Sequence, residues 1–100
     1  MSVQRFWSKI ADGEVEAIQL VGDDCAKNNA FEIIGWVLRC GRHAHYQTIG
    51  MADGRMVVTN PGGDEEAFPG DWVVRDAYGE FSACKADIFA VDYVPTEAAP

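Results

Sequence analysis

Three small constellations in this chain hold residue types capable of chemistry. Cys40, His43 and His45 form a C-x2-H-x-H group. On an extended segment His43 and His45 point to one face, within reach of a shared zinc ion that would need a fourth ligand or a water. Two polar surface histidines account for the same pattern more simply, so neither a metal nor any other cofactor is expected. Cys84, followed by Lys85, is a possible nucleophile if the lysine lowers the thiol pKa. Neighbouring strand residues point to opposite faces, however, and small cysteines are commonly buried. Asp71, Glu80 and Asp87 are available as acid/base carboxylates. Each also has a local role: Asp71 in a turn, Asp87 at a helix start, and Glu80 as an ion-pair partner for Arg75 or Lys85. Ser8 and Ser82 have no supporting His/Asp context, and no glycine-rich loop runs from a strand into a helix. The expectation is a binding protein, not an enzyme.

The residues suited to binding are cations and aromatics. Arg55, Arg75 and Lys85 could meet a phosphate, with Trp72 or Tyr78 stacking on a base, if the fold gathered them round one pocket. Trp36, Trp72 and Tyr78, with Phe31 and Phe81, could instead anchor a protein partner. Sixteen acids against eight Lys and Arg leave a net charge of −8. That balance opposes direct contact with nucleic acid or an anionic membrane, both of which attract Lys and Arg. It favours a basic protein surface, or mimicry of a nucleic acid toward a protein that binds one. Asp64, Glu65 and Glu66 extend it in what reads as a solvated acidic loop.

These residues need elements to hold them, and 100 residues with 48% hydrophobic content suffice for one core and one domain. The ends, 1–8 and 96–100, read as frayed tails. Three widely spaced cysteines without a CxxC suggest reduced thiols, and no apolar leader or membrane-length segment is expected. Asp12-Gly13 signals a turn into a first strand over residues 14–21. Asp23 is the expected N-cap of an amphipathic helix over residues 25–40, with Ala26, Ala30, Ile33, Ile34, Val37 and Cys40 inward and Gly41 as its left-handed stop. Phe31 and Trp36 flank the stripe and are expected to seal the core edges. Asp53-Gly54 predicts a type I′ hairpin turn, and Pro69-Gly70-Asp71 a type II turn. A second hairpin over residues 72–84 turns at Asp76-Ala77-Tyr78-Gly79, one helical turn follows at residues 85–89, and residues 91–94 close the sheet. The class is α+β: a curved antiparallel sheet of about five strands with one amphipathic helix on a face.

The V-E-A-I-Q strand, the Gly-Asp break into a helix, and then P-G-D-W-V-V, G-E-F, C-K-A-D-I-F and a final Y-V-P together resemble a family of small phage and prophage proteins sometimes named for a PGDYG motif. The match is carried by residues 14–19 and 69–95. Ala86 stands where the family commonly has proline, Ser82-Ala83 where Tyr-Pro is frequent, and Asp92 where threonine is usual. The resemblance implies a phage-encoded accessory protein in the host bacterial cytoplasm. The family carries no general biochemical assignment; the acidic charge, the aromatics Phe31, Trp36, Trp72, Tyr78 and Phe81 and the lack of catalytic signatures give the expected function, which is binding and inhibiting or modulating a host protein, with an anti-defence role in view. A sponge for a small nucleotide signal and a virion or assembly component are the alternatives. A homo-oligomer is compatible with each.

Overall fold

The computed structural model describes residues 3–21, 29–47 and 54–96. In chain order the elements are β1 (Gln4–Ser8), β2 (Gly13–Gln19), α1 (Ala30–Arg39), β3 (His43–Gln47), β4 (Arg55–Asn60), β5 (Gly63–Ala67), β6 (Trp72–Arg75), β7 (Phe81–Cys84), α2 (Ala86–Asp92) and β8 (Tyr93–Pro95). The class is α+β, with every strand pair antiparallel. Five strands form one sheet in the order β7-β6-β2-β1-β8, and three more form a second, β3-β4-β5.

Alternation along β2 and β6 sends side chains to both faces of the larger sheet, and both faces are covered. Ile18, Leu20, Val73 and Phe81 meet Ala30, Ile33, Trp36 and Val37 of α1 and Met56, Val58 and Ala67 of the smaller sheet. On the opposite face Phe6, Val15, Ala17 and Val74 close around Phe89 of α2. Each Val, Leu, Ile, Met or Phe among them stabilises the fold by about 1.5–3 kcal/mol when fully buried. The expected helix across one face is therefore α1, and α2 is longer than the single turn expected because it roofs the other face.

Several turns follow their local chemistry. Asp12 takes the left-handed φ of 54°, and its N–H donates to the Ser8 carbonyl to close the β1–β2 hairpin. Gly41, at φ 82°, ends α1: its N–H donates to Leu38 O and that of Arg42 to Val37 O, the paired bonds of a glycine-terminated helix. Gly70, at φ 96°, completes the Phe68-Pro69-Gly70-Asp71 turn, with Asp71 N–H donating to Phe68 O.

Other expectations are overturned. Residues 1–8 are not a frayed tail as far as they are described: Gln4–Ser8 is paired on both sides, by β2 and β8, because burying Phe6 draws the strand into the sheet. Asp64, Glu65 and Glu66 are not in a loop but in β5, beside the buried Met56-Val57-Val58 run of β4. The turn that brings them there is Pro61-Gly62 between the paired Asn60 and Gly63, where proline pre-sets φ. Asp53-Gly54 is not a two-residue hairpin turn, because Arg55 pairs with Gln47 in the β3–β4 ladder and not with the residue just before Asp53. Asp53 itself lies outside the described residues, as do Asp23 and Cys25, and α1 starts at Ala30 behind Asn29. Trp36 is only 4% exposed and Phe31 is 80% exposed, so the two expected edge-sealing aromatics part ways. Trp36 packs edge-on against Phe81, centroids 5.1 Å apart, because its flank of α1 turns toward the sheets.

Candidate functional site

The residues of P-G-D-W, C-K-A-D-I-F and Y-V-P converge on one face of the larger sheet. Asp71 is buried, and its Oδ2 accepts from Phe68 N–H at 2.9 Å and from Lys85 Nζ at 3.1 Å. A carboxylate taken out of water needs such charge-assisted bonds, and removing them costs about 1.5–3 kcal/mol each. Lys85 also lies 5.1 Å over the Phe68 ring. The next residue, Trp72, stacks on Phe89 at 4.1 Å and 5°, and Phe89 stacks on Tyr93 at 4.6 Å and 16°. Phe6 meets Trp72 and Phe89 edge-on, at 5.3 and 4.8 Å. This stretch builds a packed aromatic cluster in which Trp72 already stacks on Phe89.

The cations expected round a pocket are not brought together. Arg55 Nε sits 2.7 Å from Glu66, Arg75 Nη1 3.3 Å from Glu16, and Lys85 faces Asp71. They lie on different elements, and the partners differ from the Glu80 expected for Arg75 or Lys85. Among the described residues no group of three His, Cys, Asp or Glu is placed to hold a metal. His43 and His45 do share the exposed face of β3, with His45 Nε2 3.0 Å from Gln47 Nε2, while Cys40 caps α1 apart from them. The Cys84 thiol is pushed up in pKa, first by burial and then by Asp92, Asp71 and Asp87, the opposite of activation by Lys85. Asp87 lies in the first turn of α2, its Oδ1 accepting from Ile88 N–H at 3.0 Å.

What reaches solvent is the β6–β7 tip. Asp76 Oδ1 accepts from Tyr78 N–H at 2.9 Å and Glu80 N–H at 3.0 Å, and Asp76 N–H donates to Glu80 O at 3.0 Å. Gly79 takes φ 83° to let the chain return. The brace leaves Tyr78 at the tip with 91% of its surface exposed. Shallow depressions flank it. One is lined by Glu14, Glu16, Arg75 and Asp76, the other by Asp64, Glu65 and Glu80. Of the aromatics considered for binding, Tyr78 and Phe31 are the two that face water.

Two asparagines do work that no motif signalled. Asn60 Nδ2 donates to Phe81 O at 2.7 Å while its Oδ1 accepts from Phe81 N–H at 3.1 Å, and Glu65 Oε1 accepts from Ala83 N–H at 3.1 Å. Side chains of the small sheet thereby satisfy the outer edge of β7. Asn29 repeats the device: Nδ2 donates to Gln19 O at 2.7 Å and Oδ1 accepts from Val21 N–H at 2.9 Å, tying the start of α1 to the end of β2. Asn60 beside Pro61-Gly62 was the available signal for the first, while Asn29 falls inside the helix expected over residues 25–40, so nothing local marked its role. Compared with protein-family models, with curated proteins and with solved structures, the chain gives no significant match.

Proposed function

We propose that this chain is a phage-encoded accessory protein that binds a basic host protein and modulates or inhibits it by covering its surface, with the β6–β7 tip as the contact. The observation that carries the reading is Tyr78, 91% exposed on a turn braced by Asp76. A rigid turn and a two-torsion aromatic lose little freedom on docking, which is why tyrosine serves so often as an interface anchor. The carboxylates on either side, and the net charge of −8, steer the tip toward a positive partner. The resemblance to phage and prophage proteins supports the origin. Of the residues that carry it, Asp71, Lys85, Trp72, Phe89 and Tyr93 are engaged in the Asp71–Lys85 pair and the aromatic stack, and Tyr78 is the most exposed aromatic of the same hairpin. The proposed activity is binding without a catalytic step. No observation favours the nucleotide-sponge reading, since Arg55, Arg75 and Lys85 each face a carboxylate on separate elements.

Capture from bacterial host lysate by the immobilised chain, compared with Tyr78→Ala, tests this. Truncating an anchoring aromatic costs about 2 kcal/mol, roughly thirtyfold in Kd, so the retained protein should be lost from the variant. The exposed position leaves the core intact, so thermal unfolding of the variant should match the wild type. A retained protein that binds Tyr78→Ala equally well would remove the tip from the interface, and no specific retention at all would leave the binding function without support.

A further inference from the structure

We infer that the outer stripe of α1 joins two copies of this chain as an antiparallel helix pair. Phe31, Gly35 and Leu38 fall at i, i+4 and i+7 and so share a stripe that faces away from the core residues Ile33, Trp36 and Val37, with Ile34, half-buried against the core, at its border. Phe31 is 80% and Leu38 50% exposed, an apolar pair left in water at opposite ends of the helix. Gly35 between them has no explanation inside one copy: a Cβ there would meet only the flexible end of Arg39, at 3.3 Å, and glycine is a poorer helix former than alanine. A second helix crossing at Gly35 supplies the reason, because a missing side chain lets two backbones approach.

Charge selects a second copy as the occupant. Glu32 lies in the first turn of α1 and Arg39 in the last, and at 100° per residue both border the stripe on one side. A two-fold axis across the stripe reverses the order of that border, so Glu32 of each copy approaches Arg39 of the other and Phe31 packs against Leu38. The helix dipoles oppose in the same arrangement. Glu32 and Arg39 also hold contacts within their own chain, and the pairing adds to those. A ten-residue helix gives a small contact, and two chains of charge −8 repel, so the dimer is weak and is strengthened when salt screens the repulsion. This surface is separate from the β6–β7 tip, and the inference stands or falls independently of the host-protein reading.

Sedimentation equilibrium of the purified chain over a wide concentration range tests it. The average mass should rise from 11.0 kDa toward twice that value, more steeply at high salt, while Phe31→Glu and Leu38→Glu remain at 11.0 kDa with unchanged helical circular dichroism. Glu32→Arg should also dissociate the pair, and the double change Glu32→Arg with Arg39→Glu should restore it. A wild-type mass of 11.0 kDa at every concentration would overturn the inference and leave the stripe to a different chain. A dimer that survives both Phe31→Glu and Leu38→Glu would overturn it by placing the interface elsewhere. Failure of the double charge reversal to restore the pair would overturn the antiparallel arrangement.

Discussion

Cys84 and Tyr93 stand beside the Trp72–Phe89 stack, and both hold their protons more tightly than usual. Burial leads in each case. For Tyr93 the nearby Cys84, Asp92 and Asp76 add to it, against a lowering hydrogen bond with Ser8. Both groups are neutral when protonated, so the folded state binds protons that the unfolded chain releases above the ordinary values of 9.0 and 10.0. Their contribution to stability is full below pH 9.0 and falls as pH rises through the elevated folded values. Urea unfolding at stepped pH should show this decline, with Cys84→Ala flattening its first part and Tyr93→Phe its later part; an unchanged slope in both variants would mean that other groups cause it. A rate effect follows too, since a raised pKa leaves less thiolate for attack. At this scale the sequence was legible where one residue serves its neighbours. Asp76, Gly41 and the Asp71 bond to Phe68 N–H act within a few positions along the chain, and turn chemistry alone assigns them. It was not legible for Trp36 and Phe31, five positions apart on α1, because only the placement of the sheets decides which flank of a helix is inward.

Strand β7 shows the same limit for whole elements. Its sequence reads as a hairpin partner of β6, which it is, but one edge of a hairpin must still be paired, covered or left to water. Asn60 and Glu65 cover that edge from a different sheet. Asn60→Asp keeps an acceptor for Phe81 N–H but loses the donor to Phe81 O and sets a carboxylate against it. The expected loss is about 1–3 kcal/mol in urea unfolding, with faster hydrogen exchange at Phe81 and Ala83. A change within about 0.5 kcal/mol would show that the two sheets do not depend on this junction. The acidic β5 was missed for a related reason: Asp and Glu are poor strand formers in general, yet here pairing with the apolar β4 and the Arg55–Glu66 bridge outweigh that preference.

Across the whole molecule, one charge distribution acts in opposite senses on two surfaces. At the β6–β7 tip the proposed contact would set carboxylates against a basic partner, and that complex should weaken as salt is added. The α1 stripe sets like-charged copies against each other, so its pairing should tighten under the same change. Titrating both associations with salt in parallel checks this: two responses of the same sign would contradict the assignment of separate surfaces to separate partners. Among the described residues no helix is long and apolar enough to cross a membrane.

The amino-acid sequence by itself determined the turns at Asp12-Gly13, Pro69-Gly70 and Asp76–Gly79, the strands with apolar alternation, the main helix and the α+β class, because each depends on a few adjacent residues with strong conformational preferences. The tertiary structure decided the rest. It built a second sheet from an acidic strand, placed α2 over the far face, joined the signature residues into the Asp71–Lys85 pair and the Trp72–Phe89–Tyr93 stack, and left Tyr78 and Phe31 in water. The physical reason is that burial and edge pairing depend on which distant segments meet. Pairs such as Asn60 with Phe81, 21 positions apart, leave no local mark in the chain.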